Sequence, residues 1–391
     1  MIDVVSIDQC VLCGACMDSC PVGAISLKKE YRGNYYPQIN GRQCIECQRC
    51  ERVCPIINVP EAASYQGPMG YAAMHGEDAV RKESSSGGVF AALADAVISD
   101  SGYVCGAVMT DDKAVEHIVS NDCDQIKRMR GSKYVQSQMA GVYRKVEELV
   151  KQNIPVLFSG CPCQTAAMKA FLGGEYSSLY LVDVICHGIP AVSSWETYLA
   201  LQEKRYGSRV KEVRFRDKTK GWHSSSMKLR FSNGKTYLEP ITADTYFRGF
   251  LGNITLKESC YHCAFREFKS GADITLGDFW GAETALADID DNKGLSAVLV
   301  HTEKGTTLLE KTKIFKQPVP YEMILRGNKS LVESFAVSPI REAYYQCREA
   351  CGEEAAMRKF LCDPLLKKVA RRLRYILRWM KHALKREKML Y

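Results

Sequence analysis

Two runs of cysteine constrain this chain more than any other feature. Residues 10–21 read CVLCGACMDSCP and residues 44–55 read CIECQRCERVCP. Each is Cys-x2-Cys-x2-Cys-x3-Cys-Pro. Three thiolates spaced in this way wrap three irons of one cubane, and the fourth cysteine of each run caps the other cluster. The spacing assigns Cys10, Cys13, Cys16 and Cys54 to one 4Fe-4S cluster, and Cys44, Cys47, Cys50 and Cys20 to a second. Pro21 and Pro55 turn the chain just after each crossing ligand. Four thiolates also suit zinc, but zinc motifs pair two Cys-x2-Cys knuckles and do not run four cysteines together.

The two runs resemble a bacterial-type two-cluster ferredoxin, so residues 1–58 are expected to form such a module. Residues 59–70 are expected to be a linker, with Pro60, Gly67 and Pro68 as breakers. A chain of 391 residues has length for further domains. The N-terminal Met-Ile-Asp-Val-Val has neither a basic nor an apolar leader region, and no apolar run is long enough to span a bilayer. Eighteen cysteines in cluster spacings, without an export signal, then point to reduced thiolates and a cytoplasmic protein.

Beyond the linker the texture is α/β. Tyr103–Met109, Val115–Val119, Ile154–Phe158 and Leu179–Ile185 are expected strands, and Gln138–Gln152, Gln164–Leu172 and Val192–Lys204 expected helices. An antiparallel addition follows. Val210–Phe215 is strand-like, Asn233-Gly234 turns a hairpin between Lys228–Phe231 and Lys235–Leu238, and Asp273–Phe279 and Ala297–His301 add strands. The expected fold is a multidomain α/β and α+β chain. A ferredoxin-like module precedes a core at 71–340, and a helical region at 341–391 follows it. No Gly-x-Gly-x-x-Gly follows a strand and there is no P-loop, so any nucleotide cofactor must be held in another way.

Ten cysteines lie outside the module. Cys163 and Cys186 each follow a strand, and Cys260 and Cys263 form a Cys-x2-Cys pair. Strand carboxyl ends of an α/β sheet converge on one crevice, which makes these four the candidate ligands of a third 4Fe-4S cluster. Against this stand small buried cysteines at 163 and 186 and a zinc pair at 260 and 263. Cys161 is a spare candidate, Cys105 and Cys123 read as core, and Cys347, Cys351 and Cys362 are a weaker metal candidate. Ser84-Ser85-Ser86-Gly87-Gly88 opens an apolar helix whose free N–H groups favour a pyrophosphate, unless a serine simply caps it.

The segments SSSGGVF (84–90), MRGSKYVQS (129–137), LFSGCPCQ (157–164), DVICHGIP (183–190), SCYHCAF (259–265) and DITLGDFWG (273–281) resemble the family of coenzyme F420 hydrogenase/dehydrogenase β subunits. Relatives in that family include 7-hydroxymethyl chlorophyll a reductase and a ferredoxin-type divinyl chlorophyllide reductase. The resemblance implies an FAD-containing iron–sulfur oxidoreductase. Its FAD would be lined by Ser86, Gly87, Gly88, Lys133, Tyr134, Ser159 and Gly160, beside one 4Fe-4S cluster. Where relatives read Gly-Thr-Pro-Cys, this chain reads Gly160-Cys161-Pro162-Cys163. A flavin takes electrons in pairs and a cluster takes them singly, so such a site converts one currency to the other. His187 and His262, each next to a candidate cluster cysteine, are candidate proton relays. Asp278 is an alternative polar group, while Phe279 and Trp280 read as core.

The last 29 residues hold ten basic and two acidic side chains and carry the chain's entire net charge of +8. From Leu366 on, Val369, Leu373, Ile376, Leu377, Met380 and Leu384 fall on about 100° of a helix, opposite the basic side chains. This basic amphipathic helix suits an anionic membrane surface, or packing on its own domain or on a partner subunit. A balanced body without a reader motif argues against nucleic acid. The expected activity is an iron–sulfur flavin-dependent oxidoreductase. It would link a small-molecule hydride donor or acceptor, of the coenzyme F420 type or another, to ferredoxin or a redox partner subunit. The alternatives are a non-catalytic electron-transfer subunit and a ferredoxin-dependent biosynthetic reductase.

Overall fold

Fourteen strands organise residues 5–60 and 67–362, the parts of the chain that the computed structural model describes. The N-terminal module contributes the antiparallel hairpin β1 (Ile25–Tyr31) and β2 (Asn34–Ile39). The core contributes β3 (Met69–His75), β4 (Tyr103–Met109), β5 (Val115–Ser120), β6 (Ser137–Gln138), β7 (Val156–Gly160), β8 (Leu179–Val184), β9 (Val210–Asp217), β10 (Ser226–Phe231), β11 (Thr236–Pro240), β12 (Ile274–Asp278), β13 (Ser296–Val300) and β14 (Ile314–Val319).

Nine of these form one mixed sheet in the order β14-β3-β13-β12-β8-β7-β4-β5-β6. Its centre, β12-β8-β7-β4, is parallel. The central strands are covered on both faces, which is why Val156-Leu157-Phe158 reads as an unbroken apolar run rather than an alternation. Helix Val89–Ser99 lays Leu93, Ala94 and Val97 on one face, against Leu157 and Val298. Helices Val142–Lys151 and Pro162–Leu172 lay Val146, Leu149, Ala166 and Met168 on the other, against Phe158.

Two boundaries moved for local reasons. Helix Val142–Lys151 begins four residues later than expected because Gly141 is left-handed, at φ +76°. β7 begins at Val156 because Ile154 N–H still closes the preceding helix on Leu149 and Pro155 offers no donor. β3 and β14 carry too few β-branched residues to stand out, and Pro318 is tolerated only because β14 is an edge strand. Met69 and Gly70, expected in the linker, are the first rungs of β3 and pair with Val300 and Val319.

The antiparallel addition is the sheet β11-β10-β9. Asn233-Gly234 turns its hairpin with Gly234 at φ +81°. Helices Val192–Tyr206, Thr245–Leu251 and Arg341–Cys351 pack with it around Trp195, Tyr246, Phe247, Tyr344, Tyr345 and Met357. Residues 341–362 therefore share a core with the body rather than starting a separate region. The expected basic helix from Asp363 onward lies outside the described residues. Among the described residues, no helix is long and apolar enough to cross a membrane.

The module is clamped to the body by buried polar groups. Asp18, 7% exposed, accepts from the backbone N–H of Gly141 at 2.6 Å and of Tyr143 at 3.1 Å, capping the helix Val142–Lys151 from outside its own module. Tyr143 OH donates to Cys13 O at 2.8 Å, and Arg144 holds Asp18 O and Cys20 O. Arg32 pairs with Glu258 at 2.8 Å, and Glu258 pairs again with Arg341 at 2.7 Å.

Candidate functional site

The module contains two cysteine-lined cavities. Cys10, Cys13, Cys16 and Cys54 line the inner one, with Val11, Leu12 and Tyr36. Cys20, Cys44, Cys47 and Cys50 line the outer one. This is the crossed grouping expected from the spacing. The helix Ala15–Ser19 and the turn Arg49–Arg52 place the crossing ligands Cys20 and Cys54 just beyond their ends. Burial pushes the Cys16 thiol up to about 12, with the neighbouring Cys10, Cys54 and Cys50 adding to it. Burial likewise raises Cys13 and Cys54. Such thiols ionise only when a cation takes the place of the proton.

In the body, Cys163, Cys186, Cys260 and Cys263 line one pocket together with Pro162, Lys257 and Arg266. Cys163 sits on the first turn of the helix Pro162–Leu172 after β7, Cys186 lies just past β8, and Cys260 closes a short turn, Glu258–Cys260. Four thiolates on one zinc ion would stand about 3.8 Å apart, from a Zn–S bond of about 2.3 Å in tetrahedral geometry. Among the described residues, the set of three or more ligand atoms within 4.8 Å of one another is His223, Glu283 and Asp290, with no cysteine in it. Among the described residues the cysteine quartets are therefore not gathered as tightly as a single zinc ion requires. Cys161 is not at a separate site. Its thiol hydrogen-bonds Cys186, which raises Cys161 and lowers Cys186.

Beside this pocket, at the carboxyl ends of β7, β8 and β12, lies a cleft of about 270 Å³, near the lower end of small-molecule sites. Ser86, Gly88, Lys133, Tyr134, Ser159, Gly160, Cys163, Cys186, His187 and Asp278 all line it. No serine caps the helix Val89–Ser99. Its N-cap is Gly88, left-handed at φ +89° and without a side-chain cap. The hydroxyls of Ser84 and Ser86 are turned to Val80 O and Leu295 O, and Ser85 accepts from Ser132 N–H. The first N–H groups of this helix are thus left to a ligand such as a pyrophosphate. Gly87 packs the turn so closely that a Cβ would stand 2.5 Å from Ala73 O. At this wall a phosphate-bearing group would meet backbone donors, with no side-chain cap in the way.

Several side chains act differently from their sequence reading. Lys133 donates its ammonium to the carbonyls of Arg128, Met129 and Arg130, closing the end of the helix Cys123–Met129. Burial lowers it to about 7. Asp278 accepts from Trp222 Nε1 at 3.0 Å and from Arg216 at 2.9 Å, so it anchors a wall. His187 bonds Asn253 at 2.8 Å and stacks on Phe335; burial lowers its pKa. His262 is exposed and lines neither the cleft nor the cysteine pocket. Phe279 is core, but Trp280 is 37% exposed and stacks on Trp222. Cys123, Cys351 and Cys362 are exposed, and no metal group forms from Cys347, Cys351 and Cys362 among the described residues.

Two cleft groups, His117 and Lys257, and one that backs the cleft residue Asp278, Arg216, carried no motif. His117 is buried; its Nε2–H donates to Ser159 O at 3.0 Å while Nδ1 accepts from Ser137 Oγ at 2.6 Å. Burial lowers it to about 4 and keeps it neutral. Arg216 is buried beside Asp278, with Nε and Nη2 unbonded. Lys257, 2% exposed, touches both the cysteine pocket and the cleft. Its surroundings, Thr255, Glu258 and Ser259 among them, gave no signal in the sequence that it would be buried.

Known proteins match along the same span. The model for the N-terminal part of the coenzyme F420 hydrogenase/dehydrogenase β subunit matches residues 70–144, and that for its C-terminal part matches residues 155–317. The chain belongs to this family. Residues 9–57 match a 4Fe-4S dicluster domain. One of the subunits of the F420H2 dehydrogenase of Methanosarcina mazei is 22% identical over 339 residues, covering 81% of this chain and 87% of the relative. The solved F420-reducing [NiFe] hydrogenase complex of Methanosarcina barkeri contains a chain 16% identical to this one. The alignment spans 74% of this chain and 96% of that one, with a TM-score of 0.47.

Proposed function

We propose that this family member is an iron–sulfur flavoprotein oxidoreductase that passes electrons between a hydride site in the cleft and a one-electron partner at the module. The observation that carries this reading is the sharing of walls. Cys163, Cys186 and Lys257 line both the cleft and the core cysteine pocket, and Val11 lines both that pocket and the inner module cavity. Cys16 and Cys54 of the inner set pack with Cys20 and Cys50 of the outer set, so the cleft, the core pocket and the two module cavities follow one another in series.

Bound FAD would supply two-electron hydride chemistry, and the clusters would carry single electrons. The chain's own part is to present the bare N–H groups at Gly88, to exclude water with Met129, Val135 and Leu276, and to open the cleft at exposed Ser132. The name of the Methanosarcina mazei relative, a subunit of an F420H2 dehydrogenase, favours coenzyme F420 as the hydride partner and a neighbouring subunit at the module.

Anaerobic purification with iron, sulfide and flavin counted per chain tests the composition. About twelve irons and one FAD are expected, falling by about four irons in Cys163→Ala. Mixing with reduced coenzyme F420, and separately with reduced ferredoxin, tests the direction. Bleaching of flavin absorbance by reduced coenzyme F420 supports the deazaflavin reading. Bleaching by ferredoxin alone makes the chain a ferredoxin-dependent reductase. A preparation without flavin refutes the hydride site.

A further inference from the structure

Lys257 is a buried ammonium without a carboxylate. Its Nζ donates to Val11 O at 2.6 Å and to Gln136 Oε1 at 2.7 Å, and among the described residues no acid pairs with it. Its backbone N–H is tied to Ile189 O at 2.9 Å, and the residue is 2% exposed. Val11 O belongs to the module, one residue from Cys10; Gln136 also donates to Leu12 O at 3.2 Å. The ammonium thus stands at the seam between the inner module cavity and the core cysteine pocket. Its charge reaches Cys10 on the module side and Cys163, Cys186 and Cys260 on the core side.

Burying a lone ammonium is costly unless an opposite charge lies close to it. Two neutral carbonyl acceptors do not supply that charge. A cluster with four thiolate ligands is a net anion, and it gains one more negative charge, with no proton, each time it accepts an electron. The attraction of a fixed ammonium is therefore greater for the reduced cluster than for the oxidised one.

We propose that Lys257 is the shared counter-charge of the inner module cluster and the core cluster, raising the reduction potentials of both and leaving the outer cluster nearly untouched. This rests on the proposed third cluster at Cys163, Cys186, Cys260 and Cys263. Arg266, which donates to Cys186 O at 2.6 Å, adds a second cation on the core side alone. The core cluster is accordingly flanked by two cations and the inner module cluster by one.

The test uses the full chain with its clusters, as wild type, Lys257→Met and Lys257→Arg. Iron is counted, and the clusters are titrated against potential while their electron paramagnetic resonance signals are followed. In Lys257→Met, at the wild-type midpoints, the ratio of reduced to oxidised cluster is expected to fall at least tenfold for two of the three clusters. That is a drop of about 59 mV for one electron. Lys257→Arg should stay within a few-fold of wild type. Unchanged midpoints, or equal shifts in all three clusters, overturn the proposal. If Lys257→Met loses iron, recovery of full iron in Lys257→Arg supports the counter-charge, and equal loss in both overturns it. Wild type with about eight irons would instead refute the core cluster itself, and the shift would then be confined to the inner module cluster.

Discussion

Replacing Asp18 by alanine removes the carboxylate that caps the helix Val142–Lys151 from the neighbouring module. Two backbone N–H groups, of Gly141 and Tyr143, lose their acceptor, and the helix has no side-chain cap of its own. A hydrogen bond to a charged group contributes about 1.5 kcal/mol net or more, so the pair represents about 3 kcal/mol. At about 1.4 kcal/mol per decade, this raises the population of the undocked module roughly a hundredfold. Amide hydrogen exchange reads it directly. Protection of Tyr143 and the following turn should fall by about two decades, while Leu157 in β7, which pairs with Tyr180, should hold its protection. Asp18→Asn, which keeps one acceptor oxygen, should show about half the effect on the free-energy scale. If Asp18→Ala leaves exchange at Tyr143 unchanged, the module does not cap this helix in solution and the clamp is misread.

Gly87→Ala would press a methyl to 2.5 Å from Ala73 O and 2.8 Å from Ser296 N; flavin occupancy should fall severalfold while module iron stays, by absorbance and iron assay. His301 is buried against Phe268, with Thr275 Oγ1 2.9 Å away, and burial lowers it to about 4. The unfolded imidazole takes its proton near 6.5, so stability is full above that pH and lost as pH falls towards 4, by about 3 kcal/mol. His301→Gln should flatten this loss in denaturant titrations between pH 7 and 4; an unchanged slope would assign the acid sensitivity elsewhere. Ending the chain at Cys362 should leave flavin and iron intact and abolish binding to anionic vesicles, while retained binding rejects a membrane role for the basic tail.

Chemistry that depends on local spacing was legible in the sequence. The Asn233-Gly234 hairpin and the buried strands are short-range patterns that the structure reproduces, and the cysteines of each crossed set line one cavity. Groups defined by their surroundings were not legible. The family resemblance offers Lys133 to the FAD, yet three carbonyls within five residues claim its ammonium. Nothing in the string marks Asp18, sitting between two cluster ligands, as a cap for a helix 123 residues away. Lys257 and Arg216 gain their meaning only from burial, which sequence spacing does not report.

The pairing of Arg32 with Glu258 ties two parts of the chain that differ in when they are made. Arg32 leaves the ribosome early, on the module, whereas Glu258 opens the turn that ends at Cys260 and is held on its other side by Arg341. Until the module is seated that turn lacks one guanidinium anchor, and until residue 341 has been synthesised it lacks the other. The turn that ends at Cys260 is thus anchored by residues made before and after it, Arg32 and Arg341.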